Sequence, residues 1–258
     1  MSTEVWVDTE IQDGVMCIRL NRPKVNALDS TMVHQLQAAF TQAGRDAHVR
    51  SVLLTAAGNT FSAGQDLIEM QSKAGVSFRS HLLKTYNPLI LQIRRMEKPV
   101  LAAIQGAVTG AALGIVLACD VRIASQAARF LVGFSGIGLA PDSAVSLFLP
   151  QLIGLGRASE VTFFNTPIDA NQALDWGLVN RVVSANKLQV EALAWAKQLA
   201  QGPVHAIGLA KRDFNRIILP ELEATLDYEA HNQETAGRSP EHQEGLQAFL
   251  EKRPPNFR

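Results

Sequence analysis

Three short, largely apolar runs constrain this chain more than anything else in it: Ser51-Val-Leu-Leu-Thr55, Pro99-Val-Leu-Ala-Ala-Ile104 and Val121-Arg-Ile-Ala124. A strand with one wet face alternates apolar and polar side chains, whereas a run that stays apolar belongs to a strand covered on both faces. Helical segments lie between the runs, and repeated units of strand, loop and helix predict a parallel sheet with crossover helices. Upstream, residues 5–20 alternate and then compact around Asp13-Gly14, a hairpin signal. Asn21-Arg22-Pro23 breaks the second strand. Asp29-Ser30 then caps an expected helix whose apolar positions Met32, Val33, Leu36, Ala39 and Phe40 keep helical spacing.

After Pro150 the pattern turns helical, over residues 152–164, 170–176, 188–201, 204–216, 219–236 and 240–252, with Pro254-Pro255 closing the last segment. Trp176 and Trp195 sit among alanines and leucines and are expected in the core. No internal repeat is visible. At 258 residues the chain is long enough for one α/β domain with a helical appendage, and too short for a second independent domain.

Lys+Arg and Asp+Glu number 24 each, so no bulk field draws in nucleic acid or an anionic membrane surface, and any anionic ligand must be held locally. The most apolar stretch, 100–119, is broken by Gln105, Gly106, Thr109, Gly110 and Gly114 and stops at Asp120. It reads as strand, turn and buried helix rather than a membrane span. Cys17 and Cys119 have no further cysteines with which to build a zinc site or a disulfide framework, so no metal is expected. The acidic start MSTEVWVDTE shows neither a basic region nor an apolar run behind it, and a cytoplasmic location is the expectation.

Two glycine-containing turns follow expected strands: Phe61-Ser-Ala-Gly-Gln-Asp-Leu67 and Gly106-Ala-Val-Thr-Gly-Ala-Ala-Leu-Gly114. Small residues let backbone approach a ligand, and amides that open a helix have no intrahelical acceptor, so such turns can bind an oxyanion. They can equally be tight turns that pack helix on strand. Neither has the lysine of a phosphate loop or the glycine triplet of a dinucleotide fold.

The stretches Asn21-Arg-Pro-Lys-Val-Asn-Ala-Leu28, Phe61 to Leu67, Lys98-Pro-Val-Leu-Ala-Ala-Ile-Gln-Gly106, Ala118-Cys-Asp120 and Ala173-Leu-Asp-Trp-Gly-Leu-Val179 resemble, in order and spacing, the crotonase (enoyl-CoA hydratase/isomerase) family. The resemblance covers nearly the whole chain. It implies an α/β, crotonase-like spiral of ββα units over residues 1–200 carrying an acyl-CoA site, and a helical C-terminal trimerisation region over 201–258. It also implies an oxyanion hole at the amides of Gln65 and Ala111, a homotrimer or homohexamer, and no cofactor apart from the CoA of the substrate. Ala27, Ala63, Gln65, Asp66, Leu67, Gly110 and Phe134 are the implied substrate contacts. Lys24 is implied for the CoA phosphates, with Lys252 and Arg253 adding charge.

Hydratases of this family carry two glutamates; at the matching positions this chain has Gly114 and Phe134. Eight residues beyond Phe134, Asp142 supplies one carboxylate where many of the hydratases have glycine. That arrangement resembles the family's isomerases, and among them the ring-epoxide isomerases of bacterial phenylacetate degradation, which share Gly64-Gln-Asp-Leu67, Tyr86-Asn-Pro-Leu89, Phe134-Ser135 and Ala236-Gly-Arg-Ser239. One carboxylate suffices to move a proton between two carbons of an enolisable acyl group. The residue-level alternative for Asp142 is an N-cap of a helix over 143–149. Three other activities stay open: enoyl-CoA hydration, aryl-CoA dehalogenation with Asp142 as nucleophile, and non-catalytic acyl-CoA binding. Residues 71–87, with His81 and Tyr86, form an expected lid, and no histidine is placed in the mechanism.

Overall fold

The computed structural model describes residues 4–72 and 77–258, so part of the expected lid, residues 73–76, lies outside the described residues. Strands β1 (Val7–Gln12) and β2 (Val15–Leu20) form the expected hairpin. Both of its turn residues are left-handed, Asp13 at φ 52° and Gly14 at φ 78°, as a two-residue turn matching the strand twist requires. Helix α1 (Ser30–Arg45) starts where expected, with the Asp29 carboxylate accepting from the Met32 amide at 2.7 Å. Then come β3 (Ser51–Ala56), α2 (Leu67–Ser72), α3 (Phe78–Lys84), α4 (Tyr86–Arg95), β4 (Val100–Ile104), β5 (Ala107–Thr109), α5 (Ala111–Ala118), β6 (Val121–Ser125) and β7 (Arg129–Leu131). The remainder is α6 (Val145–Ile153), α7 (Leu155–Phe163), β8 (Ile168–Asp169), α8 (Ala170–Asp175), β9 (Arg181–Val183), α9 (Leu188–Gln201), α10 (Val204–Ile218), α11 (Leu222–Gly237) and α12 (Pro240–Glu251).

Six strands lie in the order β1-β2-β3-β4-β6-β9, parallel from β2 onward, and β5-β7-β8 form a smaller sheet. The apolar runs divide between two cores as strand geometry demands, because successive side chains leave opposite faces. Val52, Leu54, Ala102 and Ile104 join α1, α4 and α5 on one side. Leu53, Leu101, Ala103 and Ile123 meet Leu188, Ala192, Ala196 and Ala200 of α9 on the other. Helix α5 is buried all round. Just past it, Asp120 takes hydrogen bonds from the Val100 amide and ion pairs from Arg94 and Lys211, tying α4, α10 and β4 together.

Three expectations change. The helix expected over 152–164 is two helices, because Gly154 at φ 82° ends α6 and opens α7. Trp176 and Trp195 are only partly buried; each packs inward on one side and carries an arginine, Arg157 or Arg181, over its ring. Asp142 is not a helix N-cap. Ser143 (φ 56°) and Ala144 (φ 61°) are both left-handed, α6 starts only at Val145, and the Asp142 side chain reaches none of its amides.

The 142–144 loop lies directly on α5. A Cβ on Gly114 would stand 2.3 Å from the Ser143 carbonyl oxygen and 2.6 Å from its Cβ. Gly114→Ala is therefore expected to cost about 1–3 kcal/mol of unfolding free energy, the usual range for overpacking. Gly44→Ala, where the new methyl would meet only Met96 Cε at 3.9 Å, should be neutral or stabilising. Parallel denaturant titrations of the two variants check this.

Candidate active site

The two glycine turns touch. A Cβ on Gly64, at φ 83°, would lie 2.6 Å from the Thr109 carbonyl oxygen, so glycine alone allows this approach. The first turn is held on both sides of Gln65: the Leu28 amide donates to the Gly64 carbonyl at 2.7 Å, and the Asp66 amide donates to the Leu28 carbonyl at 2.9 Å. Between these bonds the Gln65 amide has no acceptor among the described residues. The second turn reaches Gly110 (φ 60°), and Ala111 opens α5 with no side-chain cap. Its amide likewise has no acceptor among the described residues. Gln65, Gly110 and Ala111 all line one cavity of about 420 Å³. An uncommitted amide at the start of a buried helix, as at Ala111, favours developing negative charge.

Ala27, Ala63, Asp66, Leu67, Phe134 and Asp142 stand in the same wall. Asp66 is heavily committed: Oδ1 accepts from the Ile68 and Glu69 amides at the start of α2, and Oδ2 pairs with Arg22 at 2.8 Å. Arg22 also donates to the Ala27 carbonyl at 2.9 Å, which fixes the 22–27 loop. Lys24 is exposed and lies outside the wall, although its neighbour Val25 is part of it. Arg253 is bound in ion pairs with Glu244 and Glu251.

Asp142 is 6% exposed. Its Oδ1 accepts from Ser143 Oγ at 2.7 Å and its Oδ2 from Gln233 Nε2 at 2.8 Å. Burial pushes its carboxyl up to about 6, against the opposing pull of those two hydrogen bonds. A carboxyl poised there, facing a mostly apolar cavity, can both take and return a proton near neutrality. Among the carboxylates in this wall, Asp142 lacks the cationic partner that Asp66 has.

His81 and Tyr86, named in the sequence with the expected lid, line this wall, whereas Gln233 and His242 were not singled out there. Gln65 Oε1 accepts from Tyr86 Oη at 2.6 Å and faces His81 Nε2 at 3.0 Å, while Gln65 Nε2 donates to Glu69 at 3.2 Å. Burial raises the Tyr86 hydroxyl well above its ordinary value, so it stays a donor. The wall also draws on Gln233, His242, Leu246 and Phe249 of α11 and α12, so it is not built from residues 1–200 alone. The signal for Gln233 is its place on the buried stripe of α11, with Leu222, Leu226, Glu229 and Ala230.

The family model described as enoyl-CoA hydratase/isomerase matches residues 10–258. The chain is 39% identical over 249 residues to a probable enoyl-CoA hydratase of Rhodobacter capsulatus, covering 96% of each protein. It is 35% identical over 256 residues to the 1,2-epoxyphenylacetyl-CoA isomerase of Escherichia coli K12, covering 98% of each. A crystal structure of an enoyl-CoA hydratase from Mycobacterium avium subsp. paratuberculosis superposes with a TM-score of 0.90 at 32% identity, covering 98% of this chain and 99% of that one. A spiral α/β core with a C-terminal helical layer, two touching glycine turns and this whole-chain likeness together make the chain a member of the crotonase, or enoyl-CoA hydratase/isomerase, family.

Proposed function

We propose that this member is an isomerase of CoA thioesters, with Asp142 as its single acid/base. The observation that supports the reading is the pairing of one poised carboxyl, Asp142, with the uncommitted Gln65 and Ala111 amides in one cavity. In a double-bond shift, Asp142 takes a proton from C2 of a 3-enoyl thioester. The electron pair moves toward the thioester oxygen, where the two amides hold the dienolate. The same proton then returns at C4, leaving the conjugated 2-enoyl thioester with no net loss of atoms. With a ring epoxide on a CoA thioester the same groups would act, Asp142 taking the C2 proton and the two amides holding that substrate's own enolate.

Hydration suits the site poorly. The two positions at which the family's hydratases carry acids are Gly114, where the Ser143 backbone leaves no room for a Cβ, and Phe134, which is buried in the wall. Glu229 is near, but its oxygens are bonded to Ala144 and Ser146 and it is not part of the wall.

In this proposal the fixed 22–27 loop takes the adenine and pantetheine, Lys24 the phosphates, and CoA arrives as part of the substrate with no further cofactor. Residues 201–258 build a homotrimer or homohexamer in the cytoplasm; Phe214, Ile217 and Ile218 on α10 are large apolar side chains left exposed on one chain.

Asp142→Asn keeps the size but cannot accept the proton. Turnover of 3-hexenoyl-CoA is expected to fall by about 10² to 10⁴, with acyl-CoA binding retained. In the parent, kcat/KM should rise with pH through about 6 as Asp142 ionises. Rapid hydration of crotonyl-CoA by the parent, or parental isomerisation by Asp142→Asn, would overturn the proposal.

The same group carries a stability cost of known sign. Its folded value lies above the unfolded one, so the native state holds a proton that the unfolded chain has lost, and stability falls as pH rises from about 4 through about 6. Above that window the buried charge costs up to about 3 kcal/mol. Asp142→Asn should melt higher than the parent at pH 8 and no higher at pH 4, as read by calorimetry.

A further inference from the structure

The chain from Ala140 to Ser146 is held at every second residue by α11. Gln233 Oε1 accepts from the Ala140 amide at 3.3 Å, and Gln233 Nε2 donates to Asp142 Oδ2 at 2.8 Å. One turn earlier on the same helix, Glu229 Oε2 accepts from the Ala144 amide at 2.7 Å. Its Oε1 accepts from the Ser146 amide at 3.0 Å and from Ser146 Oγ at 2.5 Å. Between these grips stand two consecutive left-handed residues, Ser143 and Ala144, neither of them glycine. Such a conformation is disfavoured for any residue with a side chain and persists only where its surroundings impose it.

Glu229 is 3% exposed and has no cationic partner among the described residues. A helix is ordinarily capped by the short side chain of its own N-cap residue, at no cost in buried charge. Here the N-cap is Ala144, which has nothing to offer, so the carboxylate arrives from a helix 85 residues away in sequence. What that carboxylate does, and a local serine could not, is pin the amide of the left-handed residue itself.

We propose that Glu229 is a positioning residue for Asp142: by gripping the Ala144 and Ser146 amides from α11, it keeps residues 143–144 left-handed and so keeps the Asp142 carboxylate in the cavity wall. The inference rests on Asp142 being the proton-transfer group. Glu229 itself stays outside the wall.

Three proteins separate this role from simple support of the fold: Glu229→Gln, the same change combined with Ala144→Gly, and Asp142→Asn, each assayed with 3-hexenoyl-CoA in deuterated water for isomerisation and proton exchange. Glu229→Gln should lose about 10²-fold in kcat, the scale set by a misplaced catalytic group, with KM within about twofold of the parent. Glycine adopts the left-handed conformation freely, so adding Ala144→Gly should recover roughly tenfold or more of that kcat. If Glu229→Gln does not fold, Ser146→Ala, which removes one donor to Glu229, should show the same kcat-selective loss on a smaller scale, with KM unchanged. Parental kcat in Glu229→Gln, a rise in KM instead of a fall in kcat, or no recovery with Ala144→Gly would overturn the positioning role. Undiminished turnover by Asp142→Asn would instead overturn the functional reading beneath it, whatever Glu229 does.

Discussion

Helix α5 and the 142–144 loop meet backbone to backbone at Gly114, and much of the site follows from that contact. The absence of a side chain lets the loop lie on a helix that is itself buried on every face. Where the loop lies on the helix, Ser143 and Ala144 are left-handed, α6 begins late at Val145, and the Asp142 side chain, in no capping bond, lines the cavity. The same contact removes the space that a side-chain acid at position 114 would need. The same packing thus leaves Asp142 in the wall and no room for an acid at position 114.

Electrostatics runs against packing here. Two carboxyls, Asp142 and Glu229, are buried, and burial pushes them up to about 6 and about 7; the charge on Asp142 contributes to the rise at Glu229. Among the described residues neither has a cationic partner. Each is held by neutral donors, which stabilise the charged form without abolishing the desolvation cost. The surface acids of α11 and α12 behave oppositely: Glu234 and Glu244 are held down to about 2, with hydrogen bonds from Arg79 and Arg253 as the leading causes. Of the two buried carboxyls only Asp142 lines the cavity, whereas Glu229 is taken up by the Ala144 and Ser146 amides.

The sheet and both glycine turns were legible because each rests on local rules. Apolar runs such as residues 51–55 need two covers, Asp29 sits just before a helical stripe, and glycine marks a close backbone approach at 64 and a positive φ at 110. Asp142 was found through family likeness, and its local alternative as a cap failed because nothing in Ser-Ala predicts two left-handed residues. Gln233 and Glu229 were legible only as positions on a helical stripe, not as groups that hold the site. In LEATLDYEAHNQETAG a polar residue on the buried stripe looks like its solvated neighbours, and its reason for being there is a loop far away in sequence. The lysine expected for phosphate, Lys24, illustrates the converse: a charge on a family motif locates the loop without placing the side chain in the wall.

The contribution of α11 and α12 to the cavity bears on the order in which the site can come into being. The strands and glycine turns leave the ribosome first and can pair among themselves, since their contacts lie within the first 183 residues. Gln233, Glu229 and the wall residues of α12 come last. A nascent or C-terminally truncated chain would therefore have its two glycine turns before the residues that grip the 140–146 loop, and on the proposed reading it could hold a thioester yet not turn it over. Activity would report completion of the whole polypeptide rather than of its sheet.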